Sequence, residues 1–306
     1  MKILVIGATG FVGSAVCESL TRQGHDVDAV RAPRVTAAEA SAGVELQGAA
    51  VRELAAAFEG VDAVINCSGN PDASEQDAEE LLAANAVSPA VVARAASEAA
   101  ISRLVHVSSA VVQGRRPILD ESDATETFSS YAFSKAEGER RVRLEFPAAT
   151  IYRPPSVHAG TRRVTLLTAK IAGSPLASVA APGTQPSPQA LISNVASAIS
   201  FLATSEVAPP PVVIHPWEGL TSQDLMILLG GKRPVVLPRP VARAVCCALE
   251  VVGTKVPAFA ANARRVEMLW FGQGQAVSWL TTMGWHPSDG KNAWRELGEA
   301  IRAQNA

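Results

Sequence analysis

The chain is poor in the residues that staple a protein, bind metals or coat it with one charge. Its 306 residues include four cysteines, Cys17, Cys67, Cys246 and Cys247, all in apolar contexts and without C-x-x-C spacing. That excludes a disulfide framework and a thiolate metal site, and it fits a reducing, cytoplasmic compartment. The five histidines, His25, His106, His158, His215 and His286, are scattered without ligand spacing, so no metal is expected. His106 lies on a strand and reads as a structural side chain. Formal net charge is −2. With no basic surplus to neutralise phosphates, nucleic acid is excluded as the main partner. No apolar run reaches the length of a membrane span. The nearest, Val241 to Val252, is interrupted by Arg243 and Glu250 and reads as a buried or groove-lining helix. The first strand begins at Met1, and the N-terminus reads as free of a signal peptide.

What is present is apolar and alternating. Hydrophobic residues make up 48% of the chain, enough for a sizeable core. Met1–Ile6, Asp26–Val30, Ala63–Cys67, Leu104–Ser108 and Thr150–Arg153 read as buried strands, with Val44–Leu46 as one more short one. Alanine-rich helical stretches lie between them: Gly13–Gln23, Val51–Phe58, Glu79–Ala100 and Ser130–Arg143. This alternation predicts an α/β fold, a doubly wound parallel sheet with helices on both faces. The second half changes character. Gly173 to Gln189 is rich in Pro, Ser, Ala and Gly and reads as loop. Thr221–Leu229, Pro240–Val252 and Val266–Leu269 read as short helices. The organisation expected is a nucleotide-binding domain over residues 1–155, rejoined by a helix and strand within 190–215. A smaller C-terminal lobe, 156–189 and 216–306, would then close over the C-terminal ends of the strands, where α/β folds bind ligands.

The stretch Gly7-Ala8-Thr9-Gly10-Phe11-Val12-Gly13 joins the first strand to a helix. Gly-x-x-Gly-x-x-Gly in that position is a dinucleotide cradle. Gly7 permits a sharp turn. Gly10 lets backbone N–H groups approach a pyrophosphate at the positive end of the helix, and Gly13 lets that helix pack closely on the sheet.

A second constellation carries chemistry. Ser109 ends the strand Arg103–Ser109, and Tyr131 and Lys135 follow in a helical segment with Y-x-x-x-K spacing, which places both side chains on one helix face. The chain has only two tyrosines, so a chance match is uncommon. A tyrosine with a pKa of about 10 exchanges protons poorly at neutral pH. A lysine ammonium one turn away favours the phenolate and lowers that pKa. Ser109 can hold a substrate oxygen while hydride moves to or from carbon.

These residues resemble the extended short-chain dehydrogenases/reductases of the nucleotide-sugar epimerase/dehydratase type, and the resemblance spans nearly the whole chain. GATGFVG at Gly7–Gly13 resembles the cofactor fingerprint of these Rossmann proteins, and Asp62–Gly69 the strand that walls the adenosine. Ser108–Gly114 resembles their S-S-A-x-x-Y-G segment, Tyr131–Glu139 their Y-x-x-S-K-x-x-x-E, Arg153–Pro155 their R-P turn, and Gly284–Pro287 their G-W-x-P. The resemblance implies that Thr9, Phe11, Val12, Cys67, Ser68, Gly69, Asn85, Lys135, Arg153 and Pro154 join the glycines around the cofactor. It implies that Gln113, Ser156, Arg162 and Arg163 meet the substrate. It also implies a homodimer paired through Glu79–Ala100 and Ser130–Arg143. Arg153–Val157, Leu191–Val195 and Pro234–Pro238 look like segments of bacterial reductases and epimerases acting on UDP-linked 4-keto-6-deoxy sugars in surface-polysaccharide synthesis.

Departures from the family pattern sharpen the reading. Where NAD-preferring relatives carry an acid after the second strand, this chain has Arg31, with Arg34 close behind. A guanidinium suits a 2′-phosphate, so NADP(H) is favoured over NAD(H). NADPH in turn favours net reduction of a ketone, at C4 of the sugar, over epimerisation. Ala110-Val111 stand where a dehydratase needs an acid/base pair. The segment Thr184–Gln189 has no positive charge where close relatives supply arginine to the diphosphate. A same-fold reductase of a non-nucleotide carbonyl or alcohol therefore stays open, as does a nucleotide-sensing scaffold, although the intact Ser-Tyr-Lys set argues against the latter.

Overall fold

Ile3 and Val5 leave one face of the first strand, and Leu4 and Ile6 leave the other; all four are buried, in two different hydrophobic cores. This is the signature of a strand covered on both sides. The computed structural model describes residues 1–42, 48–72, 77–255, 264 and 266–304. Its central sheet has six parallel strands: β1 (Lys2–Ile6), β2 (Asp26–Val30), β3 (Ala63–Asn66), β4 (Arg103–Val107), β5 (Thr150–Arg153) and β6 (Val212–Ile214), in the order β6-β5-β4-β3-β1-β2. The fold is the expected α/β, doubly wound Rossmann arrangement. Helices Phe11–Arg22 and Ile192–Thr204 cover the face bearing Ile3, Val5 and Ile65. Helices Gly48–Ala57, Ser88–Glu98 and Ser130–Glu145 cover the face bearing Leu4, Ile6 and Val64. The expected strand Val44–Leu46 lies outside the described residues.

Several elements differ from the sequence expectations, each for a physical reason. Asp26–Val30 was expected to be buried. Among the described residues it is the sheet edge, with Asp26, Asp28 and Ala29 exposed, and its alternate acids suit that position. Glu79–Ala100 is not one regular helix. It runs as Ala78–Leu82, a π-turn Ala83–Val87, and Ser88–Glu98. The extra residue in the π-turn is accommodated where Gly138 of the neighbouring helix packs on it, since a Cβ there would lie 2.0 Å from the Asn85 carbonyl oxygen. Gly173–Gln189 is not only loop: it contains the strand Ser178–Ala180 and enters another at Gln189–Leu191. Helices Arg163–Gly173 and Lys291–Gln304 carry no start signal strong enough to read.

The C-terminal part has its own core, built from Val179, Leu225, Met226, Leu229 and Trp294. Its attachment to the sheet is polar and buried. Tyr152 Oη contacts His215 Nδ1 at 2.6 Å, His215 Nε2 contacts Glu218 at 3.0 Å, and Glu218 accepts from Asn194 at 2.9 Å and from Trp294 at 3.0 Å. Leu280 and Trp285, expected in the lobe, instead enter the core of the sheet. Helix Arg239–Lys255 buries Ala242 and Cys246, but leaves Val241, Val245, Val251 and Val252 exposed. It is amphipathic towards the lobe, which corrects the buried alternative of the sequence expectation. Among the described residues no helix is long and apolar enough to cross a membrane.

Candidate active site

The glycine turn forms as the motif requires. Gly7 adopts φ +79° and donates its N–H to the Val30 carbonyl at 3.3 Å, tying the turn to the end of β2. Gly10 donates to Gly7 O at 2.9 Å. A Cβ on Gly13 would lie 2.2 Å from Gly7 O, so only glycine lets the helix start this close to the strand. No side-chain cap occupies the start of helix Phe11–Arg22. Its first amides, from Phe11, Val12 and Gly13, therefore suit an anion. Thr9 is exposed at the rim. Cys67, Ser68 and Gly69 pass along the opposite side: Cys67 N–H donates to Ile6 O at 2.9 Å, and a Cβ on Gly7 would meet Ser68 N at 3.0 Å. Arg31 follows Val30 directly and so stands beside the turn. Both Arg31 and Arg34 are exposed, and neither has a hydrogen-bond or ion-pair partner among the described residues. This cradle fits a dinucleotide with an additional anionic group.

Beyond the cradle, β4 delivers Ser109. Its side chain caps the short turn Ala110–Gln113, accepting from Val111 N at 3.3 Å, and Pro154 O receives Ala110 N–H at 2.8 Å. The R-P turn thus braces the serine loop. Helix Ser130–Glu145 starts at a Ser129 cap that accepts from Ala132 N at 3.1 Å. Tyr131 and Lys135 lie one turn apart on it, and the fold brings the Tyr131 side chain to that of Ser109. Burial raises the Tyr131 pKa; the charge of Arg162 and the Ser109 hydrogen bond oppose that rise. Lys135 is buried, and its Nζ donates to Val107 O at 3.0 Å. Burial lowers its pKa to about 8, against the opposing charges of Glu139 and Cys67. Arg162, whose guanidinium lies 4.7 Å from the centroid of the Phe11 ring, adds a second cation near Tyr131 beside the lysine expected from the sequence. Phe11 and Arg162 join the cofactor turn to the start of helix Arg163–Gly173.

Other expected site residues are committed to the frame. Asn85 Oδ1 accepts from Asn70 N at 2.9 Å, and its Nδ2 donates to Asn70 O and Ser134 Oγ, each at 3.1 Å. It locks the Gly69 loop to the Tyr-Lys helix. Gln113 was expected to meet substrate. Instead its amide is matched at both ends by Asp120, Nε2 to Oδ1 at 2.8 Å and Oε1 from Asp120 N at 2.9 Å. Arg153 was expected at the cofactor. It is fully buried, donating to Glu139 at 3.0 and 2.6 Å and to Ser122 O at 2.8 Å. Glu139 also accepts from Ser108 Oγ at 2.5 Å. The structural use of Glu139 was open to reading, because it follows Lys135 by one helical turn; the Gln113–Asp120 pair had no such signal. Ser156 contacts His158 at 3.2 Å, and His158 is held neutral by burial, its pKa near 4. Arg163 is exposed at the lobe surface. His106 is buried as expected, and burial together with Lys135 keeps its pKa well below the usual histidine value.

The model of the NAD dependent epimerase/dehydratase family matches residues 3–170, more than half of the chain. The chain belongs to that family. Within curated proteins, this member is 29% identical over 166 residues to a zebrafish (Danio rerio) methionine adenosyltransferase 2 subunit beta, covering 53% of the chain and 50% of the relative. It is also 29% identical over 167 residues to a Mycobacterium tuberculosis dTDP-4-dehydrorhamnose reductase, covering 52% and 51%. The chain spans about half the length of the curated relatives it matches. Among solved structures, a human epimerase family protein with NADPH superposes with a TM-score of 0.67 at 20% identity, over 98% of this chain and 99% of that one. At that identity the likeness shows the shared fold.

Proposed function

We propose that this protein reduces a keto group, at C4, of a nucleotide-linked sugar with NADPH through Ser109, Tyr131 and Lys135. One observation carries the reading: the fold brings the side chain of Tyr131 to that of Ser109, and Lys135 is buried one turn further along the same helix, beside Gly69 of the cofactor wall. The similarity to a dTDP-4-dehydrorhamnose reductase supports the substrate class. The glycine turn, the Cys67–Gly69 wall and Arg31 would hold NADPH, which when bound supplies hydride. Ser109 hydrogen-bonds the carbonyl oxygen. Tyr131, kept protonated by burial, gives its proton to that oxygen. Lys135 has donors left beyond Val107 O for the nicotinamide ribose, and it helps restore the Tyr131 proton. Arg162 faces this point and takes the anionic part of the substrate.

The test is NADPH consumption with a dTDP- or UDP-linked 4-keto-6-deoxy sugar. Turnover with either supports the reading. Turnover only with a non-nucleotide ketone would favour a same-fold reductase, which the uncharged Thr184–Gln189 segment also suits. Conversion of a sugar without net cofactor change would mark an epimerase. A second expectation concerns the cofactor. Arg31→Glu removes the 2′-phosphate partner and repels that group, so the ratio of NADPH to NADH affinity falls by at least about tenfold, the scale of one charge-assisted contact. Unchanged titrations of both cofactors would remove Arg31 from the site.

The pH profile gives a third expectation. Lys135 carries its proton below about 8 and loses it above. Reduction needs that proton, so kcat falls as pH rises through about 8, well before an unperturbed lysine would titrate. A flat profile through that range would show that Lys135 takes no part in the relay. We also place the enzyme in the cytoplasm as a homodimer paired through helix Ser130–Glu145; the other stretch expected to pair, Glu79–Ala100, is corrected because Ser88–Glu98 buries most of its residues within its own chain. Phe133 and Leu144 support that face: both are exposed, about three turns apart on one side of the helix.

A further inference from the structure

We infer that the C-terminal lobe carries a docking face for an anionic lipid bilayer. Helix Arg163–Gly173 buries Thr165, Ala169 and Ala172. Its opposite side exposes Leu166, Leu167 and Ile171, interleaved with the exposed cations Arg163 and Lys170. Two more segments extend this face. Gly230 is pressed against the end of the helix, where a Cβ would lie 2.3 Å from Ala172 O, so Lys232 and Arg233 emerge beside it. Val235 N–H donates to Ala177 O at 2.8 Å, which sets strand Val235–Leu237 next to Leu176, itself 80% exposed; Val236, registered with Val179 of the lobe core, is exposed on the side of the helix.

The face combines large apolar side chains with cations, and the segments that build it carry no acid of their own. The chain has no Asp or Glu between Glu145 and Glu206, or between Asp224 and Glu250. Arg163, Lys170, Lys232 and Arg233 pair with no carboxylate among the described residues. Five large apolar side chains, Leu166, Leu167, Ile171, Leu176 and Val236, grouped on a protein surface point to an interaction. A second copy joined through the same face on a two-fold axis would set cations against cations. A bilayer with anionic headgroups matches both features at once: acyl chains receive the leucines, Ile171 and Val236, while phosphates receive the cations. The face begins one residue after Arg162, so docking would bring the mouth of the candidate site close to the membrane. The inference is independent of the reaction proposed above.

Vesicle co-sedimentation of the full chain tests this. Expected is pelleting with vesicles of phosphatidylglycerol and phosphatidylcholine, none with phosphatidylcholine alone, and release by high salt. Lys170→Glu with Arg233→Glu should weaken binding more than about tenfold, because each cation near such a surface contributes on the order of a fivefold change. Leu176→Ser should weaken it as well. All three positions are exposed, so NADPH binding and the melting midpoint should not move. Absence of pelleting with the anionic vesicles, or binding unaffected by salt and by both variants, would overturn the inference. A concentration-dependent dimer that Leu176→Ser dissociates would overturn it in favour of self-association.

Discussion

Replacing Tyr131 with phenylalanine should lower kcat at least ~100-fold while leaving NADPH affinity unchanged, the scale of a lost general acid. The ring stays, so helix Ser130–Glu145 keeps its packing; only the hydroxyl that meets Ser109 is removed. Nothing adjacent replaces it. A serine hydroxyl is a far weaker acid than a phenol, and Lys135 Nζ is held on Val107 O at 3.0 Å. A factor of 100 corresponds to about 2.7 kcal/mol of transition-state stabilisation. The decisive comparison is single-turnover NADPH oxidation by both proteins beside a cofactor titration. Near-normal turnover in the variant would sink the proposed mechanism. Loss of turnover together with loss of NADPH binding would instead make Tyr131 part of the cofactor wall.

Arg153→Met should destabilise the fold by about 3–5 kcal/mol, because it strands a buried carboxylate. Glu139 is 2% exposed, and Arg153 supplies two of its hydrogen bonds, at 3.0 and 2.6 Å. Ser108 and the nearby charge of Lys135 remain, but neither replaces the two guanidinium hydrogen bonds. Against a typical total of about 5–15 kcal/mol, this leaves the variant marginal. Urea unfolding measures the loss. The double variant Glu139→Leu with Arg153→Met should lose less than the single one, because it removes both charges together. If Arg153 were a cofactor ligand, the single variant would keep its unfolding midpoint and lose NADPH affinity. That outcome would restore the role its R-P motif suggested.

The readable parts of the site are those fixed by local spacing. Gly7, Gly10 and Gly13 form their turn within one strand–helix junction, and Tyr131 and Lys135 share a helix face because four residues make roughly one turn. Residues whose partners are distant in sequence were harder to read. Gln113 and Arg153 look like ligands because amides and guanidinium groups are common ones. Their roles depend on Asp120, Glu139 and the carbonyl of Ser122, which arrive from other segments. The further cation near Tyr131, which the sequence did not show, followed the same rule: Arg162 reaches in from the lobe.

By itself, the sequence determined the alternation of strand and helix, the parallel double-wound class, the glycine turn and the spacing of Tyr131 to Lys135. Each follows from a period or a backbone demand contained within a few residues. Only the tertiary structure decided which polar groups remain free for chemistry. It committed Arg153 to Glu139, Gln113 to Asp120 and Asn85 to the Gly69 loop, and it left Arg31 and Arg34 without a partner among the described residues. The physical reason is that a buried polar group must be satisfied, and its partner is chosen by whichever segment the fold brings within hydrogen-bonding distance.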